Sequence, residues 1–209
     1  MSHSAHRYGT VENLQNDYVF YCRTSRNVNF KGAASKLRKT FEIILSEKPA
    51  NYGHTRAGSF AAGLLPEEFA KTLDRAVGVQ CAFSSKEKIK NVLKKVKELN
   101  HGISIVVSGL IDEVMDITKE LDIKPHSAYL SLGIHGSTSL LPDEKVLEIT
   151  TMCGHGKVAS HLTKVTMEKV KSGKMTPEKG AHLLAKLCPC GIFNIDRCET
   201  LLSQFSETY

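Results

Sequence analysis

Residues 79–134 constrain the fold more than any other stretch, because their apolar period switches repeatedly between two and about 3.6. "VQCAF" at 79–83 alternates as a strand does. Ser84 with Glu87 then forms a capping-box signature, and Ile89, Val92, Leu93, Val96 and Leu99 follow on one helical face. "ISIVV" predicts a buried strand, and Ile111, Val114, Met115, Thr118 and Leu121 form a second helical stripe. "SAYLSLGI" at 127–134 predicts a third strand. Helices between strands supply the long return connections that parallel neighbours need, and they cover the sheet faces. The expectation is an α/β fold with a small, mostly parallel sheet and a βαβαβ core. In the third strand Ala128, Leu130, Leu132 and Ile134 alternate with Ser127, Tyr129, Ser131 and Gly133, so one face is small and polar, as suits a sheet edge.

The flanks are less sharply marked. "DYVFYC" at 17–22 predicts a strand, residues 36–46 a helix, and the Gly-rich run that follows a long loop before a short helix opened by Pro66. From Pro142 the period stays helical. Helices are expected over 143–151 and 157–172, one opened by Thr176 and Pro177, and one capped by Asn194. The chain divides accordingly into an α/β domain, 1–141, and a helical, cysteine-containing subdomain, 142–209.

With 209 residues, 41% of them hydrophobic, the chain is long enough to bury a real core. It contains no apolar run of the roughly 18 residues that span a membrane and opens without a signal-like apolar stretch, so the expected location is the cytoplasm and no membrane partner is expected. A net charge of +6 owes much to "KEKIKNVLKKVK" at 86–97. That pattern is a solvated helix face, and without Trp or basic-aromatic interleaving nucleic acid is not the expected partner.

Six cysteines in a reducing compartment point to metal or redox chemistry before disulfides. Cys153 and His155 precede a helix in "CGHG", while Cys188 and Cys190 sit in "CPCG" between two helices. Gly154, Gly156, Pro189 and Gly191 let the backbone bend tightly and aim amides at sulfur. The expected centre has Cys153, Cys188 and Cys190 as metal ligands, with His155 or His135 as a fourth ligand or proton carrier. One-residue spacings fit structural zinc less well than Cys-x2-Cys pairs do. Three cysteines suit a 4Fe–4S iron-sulfur cluster with one open iron; zinc is the alternative cofactor, a thiol redox pair at Cys188 and Cys190 another reading, and plain packing of helix ends a third. Cys22, Cys81 and Cys198 follow apolar patterns and are expected to be structural.

Ser84, Ser108, His135 and Ser137 follow the three central strands, where a parallel sheet would bring them to one ligand crevice; Arg56, near His54, is a weaker pointer to an anion. Hence the expected function is a metal- or iron-sulfur-dependent lyase or sulfurtransferase acting on a small, anionic substrate. Its competitor is a non-enzymatic accessory protein braced by zinc or thiols. The C-terminal "CGHG" and "CPCGIFN" motifs, with the opening "AHRYGTVENLQNDYV", resemble an uncharacterised prokaryotic family associated with anaerobes. That resemblance implies no activity; it implies only that an oxygen-poor cytoplasm would suit an exposed cluster.

Overall fold

The computed structural model describes residues 7–207. A short helix α1 (Val11–Leu14) leads into strand β1 (Tyr18–Arg23), helix α2 (Ala33–Ser46) and a hairpin of β2 (Asn51–His54) and β3 (Gly58–Ser59). Then come α3 (Pro66–Thr72), β4 (Gly78–Phe83), α4 (Lys86–Leu99), β5 (Ser104–Ser108) and α5 (Ile111–Glu120). Four helices close the chain: α6 (Glu144–Thr150), α7 (Ser160–Lys171), α8 (Pro177–Ala185) and α9 (Ile195–Glu207). No helix among the described residues is long and apolar enough to cross a membrane.

The sheet runs β3-β2-β4-β1-β5, and every pair in it is antiparallel. This overturns the mostly parallel βαβαβ core. The strand–helix–strand unit β4–α4–β5 exists, and its two strands do point the same way, but β1 occupies the slot between them: Tyr18 pairs with Phe83 and Val19 with Ser108. The unit β1–α2–β2 is split likewise by β4. Two interleaved, split β-α-β units give an antiparallel sheet although each crossover joins parallel strands. The third predicted strand does not form. Residues 127–134 carry no ladder and are exposed throughout. Conversely, the hairpin β2–β3 lies where a loop was expected.

Alternation along β1 builds two cores. Tyr18, Phe20 and Cys22 face α2 and α4 and join Val79, Cys81, Phe83, Leu37, Phe41, Ile89 and Val92 in the first. Phe41 anchors it edge-on to Tyr52 and against Phe69, with ring centroids 5.0 and 4.7 Å apart. Each such side chain, removed fully from water, contributes about 1.5–3 kcal/mol before entropy is counted. Val19 faces the other way, into a second core shared with Ala61 and with Met152, Phe193, Cys198 and Leu202 of the C-terminal segment. The helical part therefore packs on the sheet itself. Helix starts follow local chemistry: Thr176 accepts from the Lys179 amide ahead of Pro177, and Asn194 Oδ1 accepts from the Arg197 amide. At α4 the cap is Ser85, one residue after the predicted Ser84.

A buried ionic knot ties the N-terminal segment to α9. Asp17 Oδ2 accepts from Arg7 Nη1 at 2.7 Å and Arg197 Nη1 at 2.8 Å, and Asn194 Nδ2 donates to Asp17 Oδ1 at 3.1 Å. Arg197 Nη2 donates further to the Tyr8 carbonyl at 2.8 Å and Asn13 Oδ1 at 2.6 Å, while Arg7 also donates to the Ile192 carbonyl.

Two histidines make the first core acid-sensitive. Burial, reinforced by Arg56, holds His54 below its ordinary range, and burial, reinforced by Lys36, does the same to His101, whose Nε2 lies 2.8 Å from Thr40 Oγ1. The unfolded chain takes up these protons first, so the contribution is complete above about pH 6.5 and is lost as pH falls through the lower folded values. Thermal melts should show a Tm several degrees lower at pH 5 than at pH 7.5, and His54→Gln should remove part of that difference. A pH-independent Tm across this window would contradict the assignment.

Candidate metal centre

The two glycine-flanked cysteine motifs meet. Cys153 follows α6, its amide closing on the Thr150 carbonyl at 3.2 Å, and Gly156 (φ +63°) turns the chain back so that its own amide reaches the Cys153 carbonyl at 3.0 Å. Cys188 follows α8, its amide on the Ala185 carbonyl at 2.9 Å, and Gly191 (φ +75°) reverses the chain before α9. All three cysteines are buried, whereas His155 sits on the exposed turn.

Two contacts centre on Cys190: its Sγ lies 3.6 Å from Cys188 Sγ and 3.6 Å from His155 Nδ1. Cys153 is close enough to Cys188 for the two thiols to shift one another. The backbone of the two turns favours thiolate at each cysteine, that of Lys157 and His155 at Cys153, of Phe193 at Cys188 and of Ile192 at Cys190, while burial opposes it. Charge is graded along the chain. The Cys188 hydrogen bond, with help from backbone amides, draws Cys190 below the ordinary thiol range. Cys188 is pushed up to about 11: Cys153 lowers it, but its bond to Cys190 and burial together outweigh that. Cys153, shifted by Cys188 and buried, stands far above the ordinary range. Three anions side by side are unfavourable without a cation, and Cys190 takes the first negative charge.

The sheet supplies the floor. A Cβ placed on Gly53 would stand 2.9 Å from the Gly191 nitrogen and 3.0 Å from the Cys190 carbonyl carbon, and one on Gly191 would collide with the Tyr52 and Gly53 backbone. Gly53 and Gly191 thus let the cysteine turn lie directly on β2. Asn51 Nδ2 fastens the same turn by donating to the Phe193 carbonyl at 3.1 Å. Tyr21 lies on the same sheet face, where burial, opposed by Arg23, holds its hydroxyl above the ordinary range. Sequence reasoning missed Gly53, Asn51 and Tyr21. The signal was a glycine amid "NYGH", which breaks strand propensity unless another backbone must approach.

Among the described residues no group of three or more His, Cys, Asp or Glu side chains is so placed that it could hold a metal ion. What the structure brings together is Cys190 Sγ with Cys188 Sγ on one side and His155 Nδ1 on the other. The remaining predicted residues lie elsewhere. His135 is exposed, its Nε2 2.8 Å from the Leu132 carbonyl oxygen. Ser137 caps a 3-10 turn at Thr138–Leu140. Ser84 donates to Asp196 at 2.6 Å beside a cavity of about 590 Å³ that no cysteine lines, and Ser108 ends β5. Arg56 lies in the β2–β3 turn, at the opposite end of the sheet from Ser84 and Ser108, because β2 runs antiparallel to β4. An antiparallel sheet therefore does not bring Arg56 and these serines to one crevice. No family model, curated protein or solved structure matches the chain.

Proposed function

We propose that Cys153, Cys188, Cys190 and His155 hold a single thiolate-binding metal ion of the zinc type, and that the protein is a metal-thiolate protein whose ion clamps α6–α9 to the sheet. The observation that carries this reading is the pair of 3.6 Å contacts that Cys190 Sγ makes, to Cys188 Sγ and to His155 Nδ1, across two motifs far apart in sequence. A tetrahedral ion with bonds of about 2.3 Å to sulfur and 2.0–2.1 Å to nitrogen puts sulfurs roughly 3.8 Å apart and sulfur and nitrogen roughly 3.6 Å apart. Two of the six edges, Cys188–Cys190 and Cys190–His155, are close to those lengths. A cubane, which takes one cysteine per iron, spreads its sulfurs more widely, so the spacing favours one ion over the expected iron-sulfur cluster. Four protein donors are also the usual complement of a structural zinc site.

A second reading, enzymatic, is favoured by the exposure of His155 between two glycines, which makes it the most readily displaced donor. A bound zinc-type ion would supply Lewis acidity there. The chain's own groups would then act around it: the three buried cysteines would balance its charge, and a displaced His155 would move a proton at Nδ1. Hydration or dehydration of a small, anionic substrate suits such a centre better than sulfur transfer, since one ion carries no inorganic sulfide to give.

Metal analysis of protein prepared without oxygen tests both readings. One equivalent of zinc is expected, with Cys188→Ser losing it and cobalt substitution giving thiolate charge-transfer bands. Full zinc retention by Cys188→Ser, absence of any bound metal, or a brown protein with stoichiometric sulfide would overturn the proposal. His155→Ala separates the readings. Loss of metal supports the closed clamp, whereas retained metal with altered cobalt bands supports an open position.

A further inference from the structure

The "CPCG" motif is a β-turn. The Gly191 amide reaches back to the Cys188 carbonyl at 3.4 Å, Pro189 holds the second position, where its fixed φ is favoured, and Gly191 holds the fourth with φ +75°. Cys188 and Cys190 are therefore the first and third residues of one turn. Two backbone steps span at most about 7 Å, and a turn shortens them, so the Cα atoms fall within the roughly 4.4–6.8 Å that a disulfide accepts. The sulfurs lie 3.6 Å apart, and neither is in a disulfide. Both cysteines are buried, but their surroundings are not deep: Leu187 and residues 154–157 are exposed and Pro189 is half-buried. Cys190 stands on the outer side of the pair, since its sulfur is the one 3.6 Å from Nδ1 of the exposed His155.

We infer that Cys188 and Cys190 are an oxidative modification site, a dithiol that hydrogen peroxide closes to a reversible disulfide, and that the closure discharges the ion; this last clause rests on the metal-thiolate reading above. Burial selects the oxidant, because a peroxide is small enough to pass the His155 turn where a bulky disulfide is not. Cys190 Sγ attacks one peroxide oxygen, the O–O bond breaks, and the departing hydroxide leaves as water with the Cys190 proton. Cys190 is then a sulfenic acid. Cys188 Sγ attacks Cys190 Sγ, the S–S bond forms as the S–O bond breaks, and the hydroxyl leaves as a second water with the Cys188 proton. Two thiols have given up two electrons and one peroxide has received them. Cys188 is the resolving partner because it shares the turn: closure moves side chains alone, whereas pairing with Cys153 would draw two segments together. A ring that closes so few residues removes little entropy from the unfolded chain, so the bond does not lock the fold and reductant reopens it. Closed, it takes two sulfurs away from the four proposed donors.

Stoichiometric hydrogen peroxide added to the folded full chain, both zinc-loaded and stripped by a chelator, tests the site, with maleimide capping of the remaining thiols and mass mapping of tryptic peptides. The peptide 187–197 contains Cys188 and Cys190 and no other cysteine. It is expected to be lighter by two hydrogens and uncapped, and dithiothreitol should restore both thiols. Cys188→Ser should stop at a sulfenic acid on Cys190, captured by dimedone, and Cys190→Ser should leave the turn unmodified. In zinc-loaded protein, zinc read by a colorimetric chelator should appear in step with the disulfide. A disulfide to Cys153 or Cys198, or a peptide 187–197 that stays reduced in the stripped protein, overturns the dithiol; if such protein had held zinc, the metal reading stands without it. A disulfide that closes in protein that never held zinc supports the dithiol and overturns the metal reading alone. Zinc fully retained beside a closed disulfide overturns the discharge.

Discussion

Asp17→Asn is expected to cost roughly 3–5 kcal/mol, the penalty for leaving a buried charge without its partner. Asp17 is 1% exposed and receives two guanidinium groups, those of Arg7 and Arg197, whose side chains are nearly as deeply buried. Burial pulls the Arg197 guanidinium below its ordinary range, and Asp17 is the charge that opposes this. An asparagine keeps the size and one acceptor oxygen but cancels the negative charge, so two cations face each other in an apolar surround. For a chain of this length the loss corresponds to a Tm lower by roughly 10 °C or more. Arg197→Met, which removes one cation and leaves Asp17 with Arg7, should be milder. Thermal denaturation of both variants checks the order; an Asp17→Asn protein as stable as wild type would show that the knot is not the anchor of α9.

Gly191→Ala is the second large effect, with a built-in control. Both Gly191 and Gly156 have positive φ, at +75° and +63°, where an L side chain costs roughly 1–2 kcal/mol. Around Gly156 a Cβ would meet nothing within 4 Å, whereas at Gly191 it would strike the backbone of Tyr52 and Gly53. Neither partner can move aside, since β2 is held in the ladder. Gly156→Ala should therefore lose only the backbone term. Gly191→Ala should lose several times as much, lift the Cys188–Cys190 turn off the sheet and, if the proposed metal site is right, abolish metal retention. Melting temperature and metal content measured on the pair decide the matter: equal losses would mean that the turn does not rest on β2.

The legible parts of the fold were those where side-chain period alone decides. α4 and α5 follow their stripes to within a residue or two, and Thr176 with Pro177 marks the start of α8. Adjacency was not legible. Ser84 and Ser108 end strands that point the same way, as an α-helical crossover demands, but no local pattern states that β1 lies between them. β2 was hidden because Gly53 is selected for a backbone that passes over it and not for strand propensity. At the site, the glycines around Cys153, Cys188 and Cys190 revealed which motifs bend, and the structure brings those motifs together. Asp17 and Arg197 gave no comparable signal, since a buried ion pair joins residues at opposite ends of the chain. Their trace was small: a carboxylate directly before the apolar run "YVFYC".

The central position of β1 sets a timetable for synthesis. The strand is made well before both of its neighbours, β4 and β5, so "YVFYC" waits without a ladder until Phe83 has emerged and stays half-paired until Ser108 has. During that interval the nascent chain carries one of its most adhesive segments unshielded, and crowding or slow translation between residues 24 and 108 is the circumstance in which this protein is most exposed to misassembly.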